Sequence, residues 1–315
     1  MDHAQASRRT IPAGMELTAW SAPDGWRHRL MRWPQADGTR KRGSLLWAGG
    51  RGDFLEKYLE TFADWHGRGW EVSSFDWRGQ GRSRRGAATE EPFETMAADL
   101  ALLIARWRAA GEGPYVAVAH SMGAHLLLRL LVERSPELDA VVLVAPMIAV
   151  NSGPLPGAAA ALVAAGARRI GMAGRPLWAA PLARAPAGSK RQRALTGCVE
   201  RYEDEAWWWA QEDGYAPVPP TFGWIDAAYR SARAFTPAAL ARIDVPVLLI
   251  GASGDRLVDP RAIRRTARLL PRSELMMIDD SAHEILRERE EVRAAALLRI
   301  DAFLDRHAPA PGASR

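Results

Sequence analysis

Residues 115–133 read YVAVAHSMGAHLLLRLLVE, and a change of period inside this stretch decides the fold. YVAVA is a short apolar run of the kind that forms a buried strand, whereas the residues from Ser121 onward place leucines at helical spacing. Ser121 therefore stands at a sharp strand-to-helix turn. A serine there presents its hydroxyl, and the backbone amides that follow point toward a reacting carbonyl if the flanking residues are small. Gly123 meets that demand. Ala119 stands where the usual GxSxG pattern has its first glycine, and a methyl group is a tolerable change at that position. A lone serine before a helix is ordinarily an N-cap. The strand before it, the helix after it and two distant partners favour a nucleophile instead.

Working outward, β-rich runs at 44–48, 71–77, 140–145, 245–252 and 274–279 alternate with helical patterns at about 53–67, 93–110, 260–270 and 284–306. This is the pattern of a mostly parallel sheet covered by helices on both faces, an α/β architecture. MELTAWS (15–21) and WRHRLMRW (26–33), joined through PDG, predict an antiparallel hairpin at one edge. From Met147 to about Phe235 the alternation stops, leaving Pro/Gly/Ala-rich turns and a tryptophan-rich helical stretch. We read 147–235 as a helical cap inserted after the sixth strand of the sheet. It leaves the carboxyl ends of the strands, where ligands bind. Residues 15–146 and 236–307 form the catalytic body, 1–14 a flexible lead-in and 308–315 a disordered tail.

Two later loops supply partners for Ser121. In VLLIGASGDRLVDP (247–260), Asp255 follows the strand directly and is the candidate for orienting a histidine, while Asp259, before Pro260, fits a helix N-cap. In ELMMIDDSAHEIL (274–286), His283 follows the last strand and is the candidate general base. The order Ser, Asp, His along the chain separates this arrangement from other serine hydrolase folds. His120 and His125 lie beside the serine and read as packing or polar support. His3, His28, His66 and His307 read as surface residues. Acyl transfer also needs donors for the developing oxyanion. The Met122 amide is one candidate, and the Gly50 amide in WAGGRGD (47–53) is the other, with Gly49 allowing the turn. GGRG lacks the spacing and lysine of a phosphate loop.

Composition limits the alternatives. The chain has 315 residues, 48% of them hydrophobic, and a net charge of +5 spread along its length. That spread disfavours nucleic acid as a partner. Short basic stretches at 27–32, 40–42 and 190–193 leave peripheral contact with anionic lipid open, and no protein partner is indicated. One cysteine, Cys198, excludes an internal disulfide framework and a multi-thiolate metal site. The chemistry calls for neither metal nor organic cofactor. The N-terminal residues lack a signal-peptide core, and AAAALVAAGA (158–167) is shorter than the ~20 residues that span a bilayer. We therefore expect a cytoplasmic protein, with peripheral attachment to the inner membrane surface as the variant.

Over roughly residues 15–306 the chain resembles the bacterial lysophospholipase and monoacylglycerol lipase branch of the α/β-hydrolases. The resemblance rests on AGGRGDFLEKY, FDWRGQGRS, AHSMGAHLLLR, PTFGWIDAAYRS, GASGDRLVD and SAHEIL. It implies an α/β-hydrolase fold and hydrolysis of a lipid ester through an acyl-enzyme. In that reading the cap residues Trp178, Trp207, Trp208, Trp209, Phe222 and Trp224 either line an acyl-chain pocket or pack the cap on the body. Two positions depart from the family pattern: Ala48, usually histidine, and Ala119. The rival readings are a carboxylesterase or peptidase for a small polar substrate, and a ligand-binding protein that keeps the fold without turnover.

Overall fold

The protein is described by a computed structural model over residues 3–312, apart from 37, 40, 84–91, 178–184, 213–214 and 216–218. Among the described residues, eight strands form one sheet: β1 (Glu16–Ser21), β2 (Arg27–Trp33), β3 (Gly43–Ala48), β4 (Trp70–Phe75), β5 (Tyr115–His120), β6 (Ala140–Val144), β7 (Val247–Ala252) and β8 (Ser273–Ile278). Their order is β1-β2-β4-β3-β5-β6-β7-β8. The predicted hairpin is the antiparallel edge: β1 pairs with β2 and β2 with β4, and the remaining neighbours are parallel.

The central strands are buried on both faces, which explains their unbroken apolar runs. Successive side chains alternate between two core layers. On one face Leu46, Ala48, Ala117, Ala119, Leu143 and Leu249 meet α3 (Phe93–Ala110), α4 (Ser121–Arg134) and α10 (Pro260–Leu269). On the other, Leu45, Trp47, Val116, Val118, Val142 and Ile250 meet α2 (Leu59–Gly67) and α11 (Glu290–His307). Asp259 is the N-cap of α10, its side chain accepting from the Arg261 amide at 2.9 Å with Pro260 in the first turn.

Between β6 and β7 the chain passes through α5 (Gly157–Arg169), α6 (Lys190–Leu195), α7 (Val199–Gln211), α8 (Phe222–Ala232) and the short α9 (Pro237–Leu240). The ion pair of Arg168 with Asp226, 2.8 Å, ties α5 to α8. Two expectations about the ends need correcting. The lead-in contains a helix, α1 (His3–Arg9), which is docked rather than free: Arg8 and Arg9 both bond to Asp204 on α7. At the other end, Ala308 is buried in the second core layer and its amide closes the last turn of α11, so ordered packing extends past 307.

Candidate active site

The loops that matter all leave the carboxyl ends of parallel strands. β5 delivers Ser121 at φ +51°, a left-handed conformation that a side chain tolerates only when its surroundings hold it there. Gly123 shows why the turn is so tight: a Cβ there would lie 2.4 Å from the carbonyl oxygens of both Ala48 and Gly49. No comparable demand falls on Ala119. Its methyl is fully buried in the first core layer, and its register partner across β3 is Ala48, so the two departures from the family pattern are neighbours.

Ser121, His283 and Asp255 come together from three loops. Ser121 Oγ lies 2.9 Å from His283 Nε2, and His283 Nδ1 lies 2.7 Å from Asp255 Oδ2. A carboxylate only accepts, so Nδ1 carries the proton and Nε2 is free to accept from the serine hydroxyl. The other Asp255 oxygen accepts from the Leu257 and Val258 amides at 2.8 and 3.1 Å, which fixes the carboxylate in place. Burial alone would raise the Asp255 carboxyl, but His283 and those two amides hold it below its usual range. Burial likewise works against a charged His283. Asp255, through its charge and hydrogen bond, with Glu284 and Asp53 behind it, carries the imidazole above its ordinary value. This arrangement can take a proton from Ser121 and hold the resulting imidazolium.

Two further contacts hold His283, of which only that of His120 was anticipated in the sequence. The His283 and Glu284 amides donate to the carbonyls of Ala194 and Leu195 on α6, at 3.3 and 2.7 Å, so the helices after β6 hold this loop. His120 faces the His283 carbonyl through Nε2 at 3.3 Å.

The candidate oxyanion loop, WAGGRGD (47–53), differs from expectation at Gly50. The residue does lie against Ser121, since a Cβ there would come within 3.2 Å of Ser121 Cβ. Its amide, however, donates to Asp53 Oδ2 at 2.5 Å. Asp53 is a buried carboxylate held ionised by Lys57, which makes it a strong acceptor three residues along the loop. The Gly50 amide is thus committed in this structure rather than open toward Ser121. Gly49 shapes the loop as expected, and its carbonyl accepts from Trp77 Nε1 at 2.7 Å. The Met122 amide belongs to the first turn of α4, where the helix itself supplies no acceptor.

The aromatic candidates separate. Trp224 on α8 is buried against Phe93, with the Arg51 guanidinium of the candidate oxyanion loop 5.0 Å from its ring. Trp207 packs on Trp208 and under Arg9 in the α1–α7 contact, Trp208 donates to the Arg8 carbonyl, and Trp209 lies under Arg191. All three thus meet side chains or backbone of α1, α6 and α7. Phe222 opens α8, with its amide bonded to the Arg175 carbonyl. Trp178 lies outside the described residues.

A serine at positive φ after a central parallel strand, joined to a histidine and an aspartate from the last two strand ends, sits in an α/β-hydrolase fold. The chain belongs to the serine aminopeptidase, S33, family, whose model matches residues 39–290. Among curated proteins it is 29% identical to lysophospholipase L2 of Escherichia coli over 286 residues, covering 82% of this chain and 79% of that one. It is 24% identical to the probable lysophospholipase L2 of Haemophilus influenzae over 278 residues, covering 84% of each. A soluble variant of the Saccharomyces cerevisiae monoglyceride lipase, solved with a substrate analogue, superposes with a TM-score of 0.73 at 18% identity, covering 95% of this chain and 98% of that one.

Proposed function

We propose that this protein is a carboxylic ester hydrolase that removes the single acyl chain of a lysophospholipid or monoacylglycerol. The observation that carries this reading is the buried relay from Ser121 through His283 to Asp255. Ser121 attacks the ester carbonyl while His283 takes its proton. His283 then returns the proton to the leaving alcohol, and a water activated by the same imidazole releases the fatty acid. The Met122 amide stabilises the oxyanion. The Gly50 amide joins it only when Asp53 turns away from that amide.

Residues 147–235 act as the cap in this proposal. They leave β6 beside the nucleophile, where the Met147 amide donates to the Ser121 carbonyl at 3.1 Å, and they set Trp224 against the oxyanion loop. The same region supports peripheral membrane contact. Leu162, Val163 and Ile170 on and just after α5 are 75%, 57% and 73% exposed, with Arg169 and Arg175 exposed nearby. An apolar ridge flanked by cations suits an anionic lipid surface better than the basic stretches at 27–32, 40–42 and 190–193. No helix among the described residues is long and apolar enough to cross a membrane.

The test is hydrolysis of lysophosphatidylcholine, monoacylglycerol and short- and long-chain aryl esters by wild type and Ser121→Ala. Wild type should prefer the long-chain lipids, and Ser121→Ala should lose turnover of all of them. Undiminished turnover by Ser121→Ala sinks the mechanism, and preference for short polar esters sinks the substrate class.

A further inference from the structure

Beside the nucleophile lies a buried ionic cluster that the hydrolytic steps do not use. Lys57, on the 3-10 turn Leu55–Tyr58, places its ammonium 2.7 Å from Asp53 Oδ1, 2.6 Å from Glu284 Oε1 and 3.4 Å from Glu205 Oε2. Arg287 bonds to Glu284 at 2.5 Å and Glu205 at 2.9 Å, and Arg191 reaches Glu205 at 3.1 Å. Asp53 holds the Gly50 amide, Glu284 is the peptide neighbour of His283, and Glu205 comes from α7 in the region between β6 and β7. One ammonium therefore joins the oxyanion loop, the histidine loop and the candidate cap.

Burying such a cluster is costly, and apolar side chains of similar volume commonly stabilise a fold as well or better. Its position suggests what it supplies. Against the His283 ring lie Asp255 after β7, Ser121 Oγ, and His120 at the end of β5; Asp53 bonds to His120 Nδ1 at 3.3 Å and to the Tyr58 hydroxyl, and Arg287 on the histidine's own loop pairs with Glu284, the next residue in the chain. Lys57 lies behind Asp53 and Glu284, while Glu205 and Arg191 come from α7 and α6. The charges of Glu284 and Asp53, besides that of Asp255, favour the protonated imidazole. Uncompensated, they would hold its proton too firmly for it to serve as a neutral base near pH 7.

We propose that Lys57 is a positioning residue for His283. Its ammonium offsets Asp53 and Glu284 and keeps the imidazole available as a base, while tying that loop to the oxyanion loop. This rests on the hydrolase reading above. The experiment measures how fast a fluorophosphonate labels Ser121 in the full chain as a function of pH, with circular dichroism to confirm folding. Wild type should label with an acidic limb set by His283. Lys57→Met should move that limb up by about one pH unit, Glu284→Gln should move it down, and the double variant should return it toward wild type. Lys57→Arg should keep the wild-type limb. Should Lys57→Met fail to fold, the charge-balanced double variant decides, because removing Lys57 in the Glu284→Gln background must move the limb upward. Folded variants whose labelling falls equally at every pH, with the limb in place, would reduce Lys57 to a structural salt bridge and overturn the proposal. A wild type that does not label at any pH overturns the hydrolase reading, and the proposal with it.

Discussion

His283, in the loop after β8, and His125, on α4 after β5, are both fully enclosed, yet their surroundings drive them in opposite directions. His283 faces the Asp255 carboxylate and is held above its ordinary value despite burial. His125, on α4, bonds through Nδ1 to the Met147 carbonyl at 2.8 Å and through Nε2 to Ser231 Oγ on α8 at 2.7 Å. With no carboxylate against it and Arg129 nearby, burial wins and its value falls to about 4. Both rings have Nδ1 protonated, because each Nδ1 faces an oxygen that only accepts. What separates the two rings is therefore the charge of that acceptor. Closeness to Ser121 along the chain is no guide, since His125 lies four residues from it and His283 far along the chain.

The contrast can be broken most severely at Asp255. Asp255→Asn removes the charge and favours the wrong tautomer of His283, and it should cut the rate of ester hydrolysis by about 10⁴-fold with the fold intact. A smaller effect tests His125 through acid stability. Its folded value lies below the ordinary 6.5, so its contribution is present above pH 6.5 and is lost as the pH falls toward 4, by up to about 3 kcal/mol. Denaturant unfolding across that range should show the loss. In His125→Leu the acid slope should flatten, while stability at neutral pH drops by about 1–3 kcal/mol because the Met147 carbonyl loses its donor. The smallest effect is expected at Ser231→Ala, about 1 kcal/mol of stability with the fluorophosphonate labelling rate unchanged. A large fall in labelling there would mean that His125 takes part in the chemistry and would erase the distinction.

Much of this was legible in the sequence wherever the signal is local. Helix α3 falls on the expected 93–110 because Pro92 and Gly111 bracket it. Asp255 and His283 sit within a few residues of strand ends, so finding the strands placed them. The features that escaped depend on partners remote in sequence. The Gly50 amide is captured by a carboxylate three residues away, but that carboxylate stays ionised through Lys57, which in turn pairs with Glu284, 227 residues further on. α1 docks because Asp204, 195 residues beyond Arg9, waits on α7. Tryptophan content marked α7 as interesting, but composition carries no information about which neighbour each ring meets. The structure sends Trp207, Trp208 and Trp209 to helix contacts and sets Trp224 by the oxyanion loop.

The left-handed backbone of Ser121 has a consequence of its own. A residue with a side chain forced to φ +51° raises the energy of the native state by about 1–3 kcal/mol, a load glycine would not carry. Ser121→Gly should thus yield a protein that is inert and yet melts at a higher temperature than the wild type, the reverse of what glycine does at an ordinary helix start. If Ser121 is the nucleophile proposed above, reactivity and durability are rivals at this one residue.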